Sequence, residues 1–187
     1  MINLKKGNTA PIDNLKFTVG LGWEPNNSAP IDLDLSVFML NQNKLLPSDA
    51  FFVFYGNDTS EDKSITHSGD DRTGKSSAGG DDETVNIDLS LIDPRIKEIL
   101  FLVSINDATI DNLSFGKVKN SYIRILDSSN TEIIRYDLNE DFIIEKSIIF
   151  GKLVLINNVW QFQAVGHGFT EELDYHVSQY YTGLVTK

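Results

Sequence analysis

The chain has 187 residues, enough for one domain with a full core and too few for two ordinary ones. Its formal net charge of −11, from 27 Asp and Glu against 16 Lys and Arg, argues against a nucleic-acid partner, which needs a basic surface. With no cysteine, disulfides and thiolate metal sites are excluded.

The first segment, MINLKKGNTAPIDN, has two lysines with no apolar run behind them, so no signal peptide is expected. No stretch approaches the roughly 18 consecutive apolar residues that a membrane span requires, and a cytoplasmic protein is the expectation. In chain order, LKFTVGLGW (15–23) alternates with strand period, placing Leu15, Phe17, Val19 and Leu21 on one face. IDLDLSVFML (31–40) begins with the same alternation and then turns apolar on both faces. AFFVFYG (50–56) and EILFLVSI (98–105) are aromatic or β-branched runs of buried-strand length. Further strands are expected at 84–91, 121–127, 132–138, 147–156 and 159–166, with turns at DSSN (127–130) and at Asn157-Asn158, where Asn tolerates positive φ.

Two helical pieces are expected: a short turn entered at Asp93-Pro94, and a helix near the end, where Thr170 could cap TEELDYHVSQYY and Leu173, Val177 and Tyr180 or Tyr181 form an apolar stripe. The pattern predicts an all-β fold: a two-sheet β-sandwich with an amphipathic C-terminal helix and short helical turns, one domain over residues 1–187.

The chemistry gathers in HSGDDRTGKSSAGGDDE (67–83). Gly69 to Ser76 fits the phosphate-loop pattern G-x-x-x-x-G-K-[ST], but a polar segment precedes it, two glycines stand where a helix should open, and Asp70 and Asp71 would repel a phosphate. The opposite ligand fits better. Asp32 and Asp34, two apart in a strand, leave the same face and repel each other unless a cation intervenes. The loop adds Asp70, Asp71, Asp81, Asp82 and Glu83, and Asn57 offers an amide oxygen. A hard cation such as Ca2+ takes about six to eight such oxygens. The competing reading is a solvated acidic loop, the usual fate of a charge run, and the spacing matches no EF-hand. His67, His167 and His176 share no metal-like spacing, and no G-x-S-x-G, H-E-x-x-H or cysteine nucleophile is present, so no enzyme is expected. Trp23 and Trp160 read as packing residues.

The segments GLGWEP, IDLDLSVFML, FFVFYGND, ITHSGDDRTG, GGDDETVNIDL, SFGKV, IRIL, RYDL and FGKL occur in one order. Together, over about residues 2–181, they resemble the TerD family of tellurium-resistance and bacterial stress-response proteins. The resemblance implies a cytoplasmic calcium-binding β-sandwich, usually with two Ca2+ ions in acidic loops at one end. It also implies an integral-membrane partner of the TerC type and other tellurium-resistance proteins, with peripheral association at the inner face of the membrane. The family's motifs fall on Asp32 and Asp34, on Phe54 to Asn57, on Gly69 to Gly74 and on Gly80 to Glu83. Gly56 and Asp71 depart from it where Asn is usual, and the KSSAG link is longer than expected. A metal-dependent phosphoester hydrolase using the same carboxylates, or a scaffold with a purely structural metal, are the alternatives.

Overall fold

A computed structural model of the chain describes residues 6–12, 14–24, 31–74, 80–138 and 142–181. Two antiparallel sheets face each other. The larger has the order β1-β11-β10-β7-β3-β4, and the smaller β5-β6-β2-β8-β9. The strands are β1 (Thr9–Pro11), β2 (Lys16–Glu24), β3 (Leu33–Asn41), β4 (Phe52–Val53), β5 (Ile65–His67) and β6 (Glu83–Asp88). They continue with β7 (Ile96–Ile105), β8 (Lys119–Asp127), β9 (Glu132–Asp137), β10 (Ser147–Ile156) and β11 (Val159–Phe169). A single α-helix among the described residues, α1 (Leu173–Tyr180), follows.

Alternation builds the core. Phe17, Val19 and Leu21 of β2 point inward with Val85, Ile87, Ile123, Ile125 and Ile134 of their neighbours. Leu33, Leu35, Val37 and Met39 of β3 line the opposing sheet with Phe101 and Val103 of β7. β3 is apolar on both faces because α1 covers its outer side: Tyr180 lies 5.1 Å from Phe38, which stacks on Phe52 at 4.5 Å. The Asn157-Asn158 turn joins β10 to β11 with φ of 50° and 63°, as the hairpin requires. Asp127 tightens the 127–130 turn by accepting from Ser129 N and Thr131 N. Trp23 is buried and donates Nε1–H to the Ile31 carbonyl, and Trp160 packs against the core. No helix among the described residues is long and apolar enough to cross a membrane.

Three expectations are corrected. The aromatic run at 50–56 is mostly not strand: a 3-10 turn at Asp49–Phe51 leads into the two-residue β4, and Phe54 pairs back with Asn57. The strand expected at 84–91 ends at Asp88, whose side chain accepts from Ser90 N to open a 3-10 turn at Leu89–Leu91; another 3-10 turn lies at Phe115–Lys117, and Asp93-Pro94 opens the expected short turn, closed by Ile96 N donating to the Asp93 carbonyl. Thr170 does not cap α1. Ser147 Oγ donates to the Glu171 carbonyl, which bends the chain after β11 and moves the cap position to Glu172.

The Ser147 hydroxyl also meets His176 Nε2 at 2.8 Å, pinning α1 to the sheet. Burial pushes the His176 ring down to about 4 from the 6.5 of a free imidazole. A folded value below the unfolded one means that the neutral ring's contribution is whole above pH 6.5 and lost as pH falls through 4. Wild-type protein is expected to lose about 2 kcal/mol more than His176→Gln across that window, read from urea midpoints. Parallel pH curves would refute it.

Candidate metal centre

The site forms where β3 runs past the end of its neighbour. β4 pairs only with Val37 and Phe38, so the edge of β3 at Leu35 has no strand beside it among the described residues. Side chains from the other sheet fill the gap. Glu83 Oε2 accepts from Leu35 N at 2.8 Å, and His67 Nε2 lies 3.0 Å from the Leu35 carbonyl. His67 Nδ1 accepts from Gly69 N, so the ring proton sits on Nε2, where it donates to that carbonyl. Gly69 then turns with φ of 102°, a conformation glycine adopts without strain, and the chain doubles back over β3.

This folding sets Asp70 above Asp32 and Asp34. One carboxylate oxygen from each lies within 4.8 Å of the others. At an effective dielectric near 20, each such pair repels by about 3 kcal/mol. Asp34 is buried at 3% exposure, and no hydrogen bond to its carboxylate is found among the described residues. Burial pushes its carboxyl up to about 8, with the Asp32 and Glu83 charges adding to the effect. Asp32 is half-buried and also raised, first by burial, against the lowering bond from Asn106 Nδ2 at 3.2 Å. Its second oxygen, Oδ1, is buried and has no partner among the described residues. Arg72 Nε reaches Asp70 at 2.8 Å, but its side chain is 75% exposed and answers one charge of three. An orphaned buried oxygen and an unpaired buried carboxyl are what a hard cation would satisfy.

The remaining candidates are placed elsewhere. Asn57 lines a cavity beside Asp34, but its Nδ2 is held by the Phe52 carbonyl at 2.7 Å in a tight turn. Asp71 is buried and caps its own loop, its Oδ1 accepting from Thr73 N and Oγ1. Asp81 lies on the outer face of the small sheet, gripped by Arg124 at 2.8 and 3.1 Å and by the Tyr122 hydroxyl. Gly20 makes room for that pair, since a Cβ there would fall 2.3 Å from the Asp81 carboxylate. Asp82 accepts from Trp23 N at 2.9 Å. Glu83 is buried at 1% exposure and holds Leu35 N and Asp71 N together. The structure therefore brings together Asp32, Asp34 and Asp70 and ties Asp71, Asp81, Asp82 and Glu83 to hydrogen-bonding duties.

Sequence reasoning missed Asn106, Arg72 and the anchoring role of His67. The Asn106-Asp107 dipeptide directly after the apolar run of β7 was a turn signal at the right sheet end, but nothing in its spacing marked it as a partner of Asp32. The phosphate-loop match begins after β5 and is followed by β6, a strand where a helix should stand; its Lys75 and Ser76 lie outside the described residues.

The TerD domain profile matches residues 1–180. "Tellurium resistance protein TerD" of Serratia marcescens is 38% identical over 96% of each chain, and that of an Alcaligenes species 40% identical over 95% of this chain and 93% of its own. "General stress protein 16U" of Bacillus subtilis is 42% identical over 82% of this chain and 81% of its own. Among solved structures, a homologue of telluride resistance protein (TerD) from Streptomyces coelicolor A3(2) superposes with a TM-score of 0.71 at 19% identity. It covers 86% of this chain and 93% of that one, which shows a shared fold.

Proposed function

The chain belongs to the TerD domain family of tellurium-resistance and stress proteins, and from that premise we propose that its Asp32, Asp34 and Asp70 carboxylates hold a calcium ion. The observation that carries the reading is the buried Asp34 carboxyl, crowded by two others and reached by no hydrogen bond among the described residues. Three carboxylates offer up to about six oxygens, which suits the large, flexible shell of Ca2+ better than the small octahedral shell of Mg2+. Asn57, which lines the cavity together with Asp34, keeps its amide oxygen as a candidate further ligand.

The family resemblance implies two ions. The carboxylates that a second ion would use are those committed to Arg124, Trp23 N and Leu35 N, so one ion is the reading favoured by the geometry. The role is non-catalytic. The ion orders the acidic end of the sandwich, and that ordered surface meets an integral-membrane partner of the TerC type or other tellurium-resistance proteins. Co-purification of such a partner in calcium, and its loss in chelator, tests that part.

The ion itself is tested by calorimetric titration of chelator-stripped protein. Near pH 7 the Asp34 carboxyl, raised to about 8, is largely protonated, so calcium must displace its proton. Binding is expected with a stoichiometry near one and release of nearly one proton, read from titrations in buffers of different ionisation enthalpy. No heat in any buffer, together with no change in melting temperature, would sink the assignment.

A further inference from the structure

A cavity of about 920 Å3 lies beside the triad, between the outer face of the large sheet, the 49–57 segment and α1. Its helix wall is one stripe of α1, Leu173, Asp174, Val177 and Ser178, spaced so that a single side faces inward, with Tyr181 continuing the wall just past the helix end. The opposite wall is aromatic. Phe52 and Phe54 stack with centroids 4.4 Å apart, and Tyr55 meets Phe54 edge-on at 5.0 Å.

Charge is distributed unevenly along it. Asp34, Asp107, Glu172 and Asp174 gather where β7 ends and α1 begins, while Asp49 lines the cavity and accepts from the Tyr181 hydroxyl. No Lys, Arg or His lines the cavity among the described residues. Glu172 is already engaged, accepting from Thr109 N at 2.8 Å with Lys146 at 3.7 Å. Asp107 and Asp174 are exposed to the cavity mouth. Ser104 lines the same end; it is buried at 1% exposure, and its Oγ has no hydrogen-bond partner among the described residues.

We infer that this cavity binds a small amphipathic organic cation, a primary alkyl- or arylalkyl-ammonium. Its head group sits among Asp107, Asp174 and the Ser104 hydroxyl, and its apolar body lies between the Phe54 and Tyr55 rings and Val177. The volume falls in the range of about 300–1,000 Å3 typical of small-molecule sites. An ammonium supplies the N–H donors that Ser104 Oγ lacks, and aromatic faces attract cations. An organic anion meets only like charge. A divalent ion on the triad would offset two of its three negative charges and leave Asp107 and Asp174 untouched, so the preference for a cation holds with or without calcium.

The test is calorimetric titration of the full chain with 4-phenylbutylammonium, 4-phenylbutanol and 4-phenylbutyrate, in chelator and in excess calcium. The ammonium is expected to bind in both conditions, the alcohol at least about ten-fold more weakly, and the carboxylate not measurably. The exposed pair Asp107→Asn with Asp174→Asn is expected to weaken the ammonium by roughly ten-fold and leave the alcohol unchanged, while Val177→Trp fills the cavity and weakens both. Equal binding of alcohol and ammonium, or binding of the carboxylate, would overturn the inference. So would ammonium binding indifferent to the paired Asn variant, whose surface changes leave the core intact. Ammonium binding abolished by calcium would place the head group on the triad and likewise overturn a separate site; the calcium titration alone decides the calcium reading.

Discussion

Asp34→Asn is expected to stabilise the protein in chelator and to destabilise it in calcium. The side chain is buried, its oxygens face those of Asp32 and Asp70, and its folded value is raised to about 8 from an ordinary 3.8. A carboxyl raised on folding contributes stability that is whole below the unfolded value and lost as pH rises through the folded one. Metal-free wild type should therefore weaken between about pH 4 and pH 8, by about 1 kcal/mol per pH unit where Asp34 dominates. Asparagine keeps the volume, carries no charge and can donate to the orphaned Asp32 Oδ1, so the variant should escape this loss. Calcium reverses the order. At about 100-fold excess over its dissociation constant an ion adds about 3 kcal/mol to wild type, and the variant forgoes most of it. Urea unfolding at pH 8 with and without calcium reads both signs. A variant weaker than wild type in both conditions would show Asp34 to be a structural acceptor instead.

Glu83→Ala should be the most damaging single change in the loop, by a different route. Its carboxylate satisfies Leu35 N and Asp71 N in a buried setting, beside the His67 ring at 3.4 Å. Truncation orphans both donors, at about 1–3 kcal/mol each, and leaves a void. A loss of roughly 3–5 kcal/mol follows, about 10 °C in melting temperature for a domain of this size, and it should be equal in calcium and in chelator. Asp70→Ala is the contrast. Its carboxylate is more exposed and bonds only Arg72 among the described residues, so its loss should remove the calcium increment and, in chelator, relieve its repulsion of Asp32 and Asp34. A Glu83→Ala defect confined to calcium-loaded protein would return that residue to the ion's shell.

The longer strands are legible in the sequence, β2 and the start of β3 by period-two alternation, β7 as an apolar run, and β6, β8, β9, β10 and β11 as strand-length segments bounded by turns. β1 and β5 are not, because three residues cannot show a period. The aromatic run at 50–56 misled for the opposite reason. Its rings are hydrophobic because they stack on Phe38 and line a cavity, not because they alternate across a sheet. At the site, Asp32 and Asp34 were readable from their spacing and Asp70 from its loop. The sorting of the other carboxylates was not. Asp81, Asp82 and Glu83 look alike as a charge run, yet one answers Arg124, one Trp23 N and one Leu35 N, partners 43, 59 and 48 positions away. A local window cannot see partners at that distance, and only the register of the sheets supplies them.

The two residues flanking the acidic loop, His67 and Glu83, grip the carbonyl and the amide of one and the same amino acid, Leu35. The segment between them is thus a noose whose knot is tied independently of its circumference. Lengthening such a noose is cheap, since doubling the slack costs only about 0.6 kcal/mol of closure entropy. Insertions in the KSSAG stretch can therefore accumulate over evolution without dislodging Asp70 from its place above β3, and an engineered graft there should leave the knot untouched.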